Sequence, residues 1–148
     1  MARTYRLGPG RRAVNSVIAA LIRAGAGGSA NYLLTTIGRR TGQPRTTPVT
    51  VIEHAGGRWL VAPYGTVGWV YNVRAHPRIT LRRGHQTDVA RAEEVPPEVA
   101  GPVLKQYLGQ VRITAPYFDA RAGDPAAEFV KEARQHPVFR LDDTPPAA

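Results

Sequence analysis

The stretch Leu34-Thr35-Thr36-Ile37-Gly38-Arg39-Arg40-Thr41-Gly42-Gln43-Pro44-Arg45-Thr46-Thr47-Pro48 places a basic turn, bracketed by two glycines, between two extended segments. Apolar and polar side chains alternate from Tyr32 to Ile37 and again from Thr47 to Glu53, which predicts two β-strands. Glycine lets the backbone of the turn direct N–H groups to one side, and the turn's arginines and threonine can converge on one anion. The turn is therefore a candidate phosphate-binding site, although its spacing fits a solvated turn with scattered arginines equally well.

Working outward from this turn, the chain predicts short strands joined by tight turns, with helices around them. The other predicted strands are 58–62, 79–83, 87–94 and 138–141, and the predicted helices are 11–24, 65–75, 96–108 and 125–135. Two hairpins, further single strands and peripheral helices predict a mostly β fold of the α+β class, built as a small antiparallel barrel. We expect one domain over residues 1–148, with 11–28 forming a helix and a glycine-rich connection, and with flexible ends at 1–10 and 142–148.

The composition is that of a globular protein with an anionic partner. Of the 148 residues, 43% are hydrophobic and 21% are charged, and 20 Lys+Arg against 11 Asp+Glu leave a net charge of +9. Arginine, which dominates the basic residues, makes bidentate pairs with phosphate and carboxylate groups. Zero cysteines exclude disulfides, thiolate zinc sites and a cysteine nucleophile. No apolar run is long enough for a membrane-spanning helix, so a cytoplasmic protein is expected.

Two sequence blocks resemble a known family. Gly38-Arg39-Arg40-Thr41-Gly42-Gln43-Pro44-Arg45, followed by Pro48, is similar to the G-R-[KR]-[ST]-G-x-x-R-x-x-P signature of the deazaflavin-dependent nitroreductase family. The block Trp69-Val70-Tyr71-Asn72-Val73-Arg74-Ala75-His76-Pro77 resembles the W-x-x-N-[LV]-x-A-x-P block of the same family. The resemblance implies a split β-barrel like that of pyridoxamine-phosphate oxidases. It also implies that reduced F420 donates a hydride to an electron-poor acceptor such as a quinone, an enone or a nitro compound.

The resemblance also implies which residues contact the cofactor. Arg40 and Arg45 would bind its phosphate and its lactyl-glutamate tail, assisted by Thr41 and the backbone of residues 39–42. The segment 62–65 would pass beside the deazaflavin ring. The full set of cofactor contacts that we predict is Arg39, Arg40, Thr41, Gly42, Arg45, Pro48, Ala62, Pro63, Tyr64, Gly65, Trp69 and Asn72.

Tyr64 is the predicted catalytic residue, because its hydroxyl or the adjacent N–H groups can stabilise the anion that develops on the acceptor. Tyr71, Tyr117 and Phe118 are predicted to contact that acceptor. The sequence does not choose between a tyrosine and water as the proton donor. It also leaves open whether the protein touches a membrane surface or forms a homodimer.

Three other functions fit parts of the sequence. A barrel that binds a lipid, a fatty acid or a quinone without catalysis would keep the fold, and an FMN enzyme would also use arginines for its phosphate. A nucleic-acid-binding barrel would need aromatic residues interleaved with basic ones on exposed strands, and only Trp59 and Tyr64 approach that pattern. No metal site is predicted, since the four histidines lie in different elements with few carboxylates nearby: His54, His76, His85 and His136.

Overall fold

Six antiparallel strands close into a barrel in the spatial order β1-β2-β3-β6-β5-β4. The computed structural model describes residues 31–143, so the predicted helix at 11–24 and the predicted flexible segment 1–10 lie outside the described residues, as does the predicted flexible segment 142–148 apart from Asp142 and Asp143, which belong to the last strand. The strands are β1 Asn31–Ile37, β2 Pro44–His54, β3 Gly57–Val61, β4 Arg78–Arg83, β5 Gln86–Glu94 and β6 Val138–Asp143. The prediction of a small antiparallel barrel with peripheral helices is confirmed.

Within residues 31–143, three α-helices and two short 3₁₀ segments accompany the barrel. The α-helices are α1 Gly68–Ala75, α2 Pro97–Gln110 and α3 Ala126–Glu132, and the 3₁₀ segments are Arg112–Tyr117 and Ala133–Gln135. Helix α2 begins where the sequence predicts a start, because Pro97 needs no N–H partner in the first turn and Glu98 is favourable at the positive end of the helix dipole.

The observed element bounds differ from the predicted ones for local reasons. Strand β2 begins three residues earlier than predicted, since Pro44 pairs with Ile37 directly after the turn. Helix α1 begins at Gly68 and not at Gly65, because Gly65 has a φ of 95° and cannot belong to a right-handed helix. Strand β6 continues to Asp143, two residues beyond its predicted end, because its last residues pair with β5.

Apolar side chains form two cores, one inside the barrel and one outside it. Strand β3 contributes side chains to both cores. Leu60, and Ala62 directly after the strand, face the barrel interior, whereas Trp59 and Val61 face outward. The outward side chains pack against residues of α2 and α3 such as Leu104 and Phe129. This arrangement explains the continuous apolar run in β3, because a strand covered on both faces has no polar side.

Helix α1 covers one end of the barrel. Its Val70 and Val73 are buried with the interior core, and the chain then enters β4 through Pro77. The end of β1 and the basic turn lie at this same end of the barrel. The fold therefore places α1, which carries most of the block 69–77, directly against the basic turn.

Candidate functional site

The basic turn from Gly38 to Gln43 is fixed by its own backbone. The N–H of Gly38 donates to the carbonyl of Gln43 at 2.8 Å, and the N–H of Gly42 donates to the carbonyl of Gly38 at 2.8 Å. A side chain at Gly38 would place its Cβ 2.9 Å from Thr41 Oγ1, and Gly42 has a φ of 70°. Both glycines are thus required by the geometry, one for space and one for conformation.

Asn72 of α1 fastens this turn to the barrel. Its Oδ1 accepts hydrogen bonds from the backbone N–H and the guanidinium Nη1 of Arg39, each at 3.1 Å. Its Nδ2 donates to Thr36 Oγ1 at 3.3 Å. Because Asn72 is only 6% exposed, these bonds are largely shielded from water. Asn72 therefore holds the turn in place, and its contact with a cofactor remains a prediction.

The arginines of the turn differ in their surroundings. The guanidinium of Arg39 lies 4.9 Å from the ring centroid of Tyr71, in addition to its bond with Asn72. Arg40 and Arg45 are both exposed, and within residues 31–143 neither guanidinium has a hydrogen-bond or ion-pair partner. Arg40 lies on this turn of fixed shape and Arg45 on the adjoining start of β2, so two positive groups without acidic partners in the described residues can bind an anion with little loss of backbone freedom.

The backbone of the turn supplies fewer donors than predicted. The N–H of Arg39 donates to Asn72 and that of Gly42 donates to Gly38. Among the described residues, the N–H groups of Arg40 and Thr41 have no acceptor. The hydrogen-bond donors that remain available to an external anion therefore belong to Arg40, Thr41 and Arg45.

The loop Ala62–Gly65 follows β3 on the way to α1. Unlike the basic turn, it is hydrogen-bonded to the segment that precedes β6. The N–H of Ala62 donates to the carbonyl of Pro137 at 2.8 Å, and the N–H of Gly65 donates to the carbonyl of Ala62 at 3.4 Å. Ala62 and Pro63 are buried, whereas Tyr64 is half-buried. The ring of Tyr64 meets the ring of Tyr117 edge to face, with centroids 4.8 Å apart. The structure thus brings the predicted catalytic residue together with one of the predicted acceptor contacts.

The other predicted acceptor contacts have different surroundings. Tyr71 is 44% exposed and lies on α1 beside Arg39. Phe118 is 6% exposed and packs in the outer core against Phe129. Contact of Tyr71, Tyr117 and Phe118 with an acceptor remains a prediction.

Two predicted cofactor contacts have neighbours that account for them structurally. Trp69 is half-buried, and its ring centroid lies 5.8 Å from that of Phe139 in the interior core. Pro48 is half-buried on β2 and pairs with Leu33 of β1. Their roles at a cofactor also remain predictions.

Tyr107 of α2 adds a buried hydroxyl near the loop. Burial raises the pKa of Tyr107 well above the usual tyrosine value, and the nearby Tyr64 raises it further, while a hydrogen bond with Thr50 lowers it. The hydroxyl therefore stays protonated throughout the neutral range. The sequence allows Tyr107 either a place at the substrate mouth or a core position, since a buried helical tyrosine has the same pattern as a core residue; the structure buries it in α2.

Sequence reasoning missed a buried pair behind the loop. His136 Nε2 lies 2.7 Å from Glu132 Oε1, and His136 Nδ1 lies 2.9 Å from the carbonyl oxygen of Pro63. His136 thus has one carboxylate beside it, that of Glu132. The spacing of four residues between Glu132 and His136, at the end of a predicted helix, is the signal that could have found this pair.

Comparison with known proteins gives the family. Residues 12–135 match the model of the family described as F420H2-dependent quinone reductase. The chain belongs to this family. It is therefore an oxidoreductase, and the family assignment made from the two sequence blocks is confirmed.

Solved structures agree with the fold of an F420H2-dependent quinone reductase. A structure described as F420-H2 dependent reductase FDR-A is 25% identical, with a TM-score of 0.51, and the match covers 77% of this chain and 95% of that chain. A putative pyridoxamine 5′-phosphate oxidase from Listeria innocua is 11% identical, with a TM-score of 0.55 and coverage of 89% and 94%. A chain described as a domain-swapped dimer is 22% identical, with a TM-score of 0.54 and coverage of 91% and 100%. The predicted split barrel is thereby confirmed.

In this member of the quinone reductase family, no helix within residues 31–143 is long and apolar enough to cross a bilayer. The described residues present two regions of functional interest, the exposed basic turn and the half-buried loop with its tyrosines.

Proposed function

We propose that the protein binds reduced F420 through the basic turn and passes a hydride from it to an electron-poor acceptor, of which a quinone is the favoured class. The observation that carries this proposal concerns Arg40, on a turn of fixed shape, and Arg45, at the start of β2. Both are exposed, and neither has an acidic partner in residues 31–143. Membership of the F420H2-dependent quinone reductase family supports the cofactor and the acceptor class.

The residues present fit the anionic end of such a cofactor. Arg40 and Arg45 would bind its phosphate and carboxylates, since guanidinium groups pair with oxyanions through two parallel hydrogen bonds. The hydroxyl of Thr41 and the open N–H groups of residues 40 and 41 would bind the remaining phosphate oxygens. Asn72 would act at a distance from the anion, by keeping the turn in its binding shape.

The loop Ala62–Gly65 would lie beside the deazaflavin ring. When bound, the cofactor supplies the hydride, and the protein supplies orientation and a site protected from water. The Tyr64 hydroxyl, or the N–H groups around it, would donate to the oxygen on which negative charge develops. Tyr117 would limit the position of the Tyr64 ring, because the two rings meet edge to face.

The direct test is a titration of the purified full-length protein with F420, followed by quenching of the cofactor fluorescence, with FMN and haem titrated in parallel. Micromolar or tighter binding of F420, and weaker binding of FMN, is the expected result. Absence of F420 binding at micromolar concentration contradicts the proposal, and preferential binding of FMN favours a flavin enzyme on the same barrel.

A second measurement separates catalysis from simple binding. Oxidation of F420H2 is followed with quinones, enones and nitroaromatic compounds as acceptors, and turnover with a quinone is expected to be fastest. Binding of F420 without turnover of any acceptor would favour a barrel that binds without catalysis. A cytoplasmic location and a homodimer stay predictions, which cell fractionation and light scattering would test.

A further inference from the structure

We infer that His136, held by Glu132, is a positioning residue for the loop Ala62–Gly65. This inference deepens the proposed function, since the consequence for catalysis depends on that loop lying beside the cofactor ring. The attachment of the loop itself is a property of the protein alone and can be measured without any cofactor.

The pairing of β3 with β6 becomes incomplete where the loop begins. The pair Val61 and Val138 ends the strand pairing, and the N–H of Ala62 then donates to the carbonyl of Pro137 at 2.8 Å. Pro137 has no N–H group to donate back to Ala62. The next residues in that register are Pro63 and His136.

The ring of His136 supplies a further attachment of the loop, one residue beyond Ala62. Its Nδ1 lies 2.9 Å from the carbonyl oxygen of Pro63. Because a carbonyl oxygen only accepts, Nδ1 carries the proton and donates it. The loop is thus attached at two successive residues, once through the backbone of Ala62 and once through a histidine side chain.

Glu132 fixes the orientation of that ring. Its Oε1 contacts His136 Nε2 at 2.7 Å, and its two oxygens also accept the N–H groups of Asp119 at 3.1 Å and Ala120 at 2.7 Å. The ring of Phe118 stacks on the imidazole at 3.9 Å with an angle of 19° between the planes. Both edges and one face of the imidazole are therefore occupied.

A buried polar network is an inefficient way to gain stability, since well-packed apolar side chains of similar volume often serve as well. Glu132 is 5% exposed and His136 is 2% exposed, so this network bears the full desolvation cost. Its geometric effect is specific, because the network holds the position of the Pro63 carbonyl group, which is directly bonded to the backbone nitrogen of Tyr64. We therefore assign His136 and Glu132 to the placement of Tyr64 and of the loop.

Amide hydrogen exchange on the full-length protein tests the attachment. In His136→Leu, exchange of the amides of residues 62–67 is expected to accelerate about ten-fold or more, while α2 keeps its protection, since local opening is read out segment by segment. His136→Asn places an N–H near the position of Nδ1 and is expected to restore part of the protection. Val103→Ala, a truncation in the outer core that makes no hydrogen bond to the loop, is the control for general loss of stability.

Equal acceleration in the loop, in β6 and in α2 would overturn the inference, because it would show that the pair contributes only to overall stability. Unchanged exchange of the loop in His136→Leu would overturn it as well. Should His136→Leu not fold, Glu132→Gln retains the size of the side chain and is expected to accelerate loop exchange to a smaller extent.

Kinetics with F420H2 and a quinone provide the second arm. A loop displaced by about 1 Å can lower turnover by about 100-fold, so kcat of His136→Leu is expected to fall strongly, whereas F420 affinity stays within about three-fold because the basic turn is separate. Unchanged kcat would overturn the positioning role. If the wild-type protein does not bind F420 at all, the proposed function fails, and the exchange experiment still decides whether His136 holds the loop.

Discussion

The basic turn and the loop Ala62–Gly65 both connect elements at the functional region, yet they are built in opposite ways. The turn is closed by its own backbone hydrogen bonds, is fastened to α1 by Asn72, and leaves the guanidinium groups of Arg40 and Arg45 exposed. The loop buries Ala62 and Pro63 and relies on a distant segment, residues 132–137, to hold it. An exposed anion-binding site needs a fixed backbone, and its charged side chains can stay mobile. A loop that is to orient a cofactor ring needs both its backbone and its side chains held in place.

The difference teaches which contacts belong to binding and which to orientation. The exposed arginines would supply most of the affinity for an anionic cofactor, since their positive charges are not neutralised by neighbours in residues 31–143. The loop would contribute little affinity and would set where the ring and the acceptor meet. Four tests follow, from the largest expected effect to the smallest.

The double variant Arg40→Ala/Arg45→Ala is expected to weaken F420 binding about 100-fold or more. Each hydrogen bond to a charged group contributes about 1.5–3 kcal/mol, and two such groups are lost. Fluorescence titration measures the affinity, and the melting temperature is expected to stay unchanged because both side chains are exposed. Arg91→Ala, an exposed arginine on β5, is the matched control and should bind as the wild type does. Wild-type affinity in the double variant would show that the turn is only a solvated surface.

Asn72→Ala tests whether the turn depends on α1. The change removes three hydrogen bonds and leaves the Arg39 N–H without its acceptor, so the free energy of unfolding is expected to fall by about 2 kcal/mol. Affinity for F420 is expected to fall about ten-fold, since 1.4 kcal/mol corresponds to a factor of ten.

Urea unfolding and the same titration measure both effects of Asn72→Ala. Thr35→Ala, which breaks an exposed hydroxyl pair with Thr46 on the same strands, is the control and should change either quantity little. Lower stability with unchanged affinity would mean that Asn72 docks α1 without shaping the turn.

Tyr107→Phe tests, through the pH dependence of the free energy of unfolding, whether the hydroxyl near the loop is buried and protonated. Because burial raises the pKa of Tyr107 in the folded state, its protonated form stabilises the fold fully below the unfolded-state value of about 10. This contribution is lost as pH rises further, by up to about 1.4 kcal/mol per pH unit. Urea unfolding at pH 8 and pH 10.5 should therefore show a steeper loss in the wild type than in the variant. Parallel losses in both proteins would contradict the buried, protonated state of Tyr107.

Gly42→Ala and Gly109→Ala separate backbone conformation from packing. Neither added Cβ meets an atom within 4 Å, but Gly42 has a φ of 70° whereas Gly109 lies in helix α2. Gly42→Ala is expected to lower the free energy of unfolding by about 1 kcal/mol, and Gly109→Ala to raise it by about 0.5 kcal/mol or more. Chemical denaturation measures both. Equal signs for the two variants would show that the left-handed conformation does not constrain the turn.

The sequence by itself determined the strands, the basic turn and the family. Side-chain pattern and turn residues are local properties, so they located β1, β3, β4 and β5 to within one or two residues, and the glycine spacing marked the basic turn. The turn and the block at 69–77 sufficed for the family assignment, which residues 12–135 confirm.

Only the tertiary structure decided how these pieces serve one another. Asn72 meets Arg39 and Thr36 because α1 closes the end of the barrel, and no local pattern contains that approach. His136 reaches the carbonyl of Pro63 because β3 and β6 are neighbours in the barrel, although 73 residues separate the two in sequence. Contacts of this kind depend on which elements the closed sheet brings together, and that is a property of the whole chain packing around two cores.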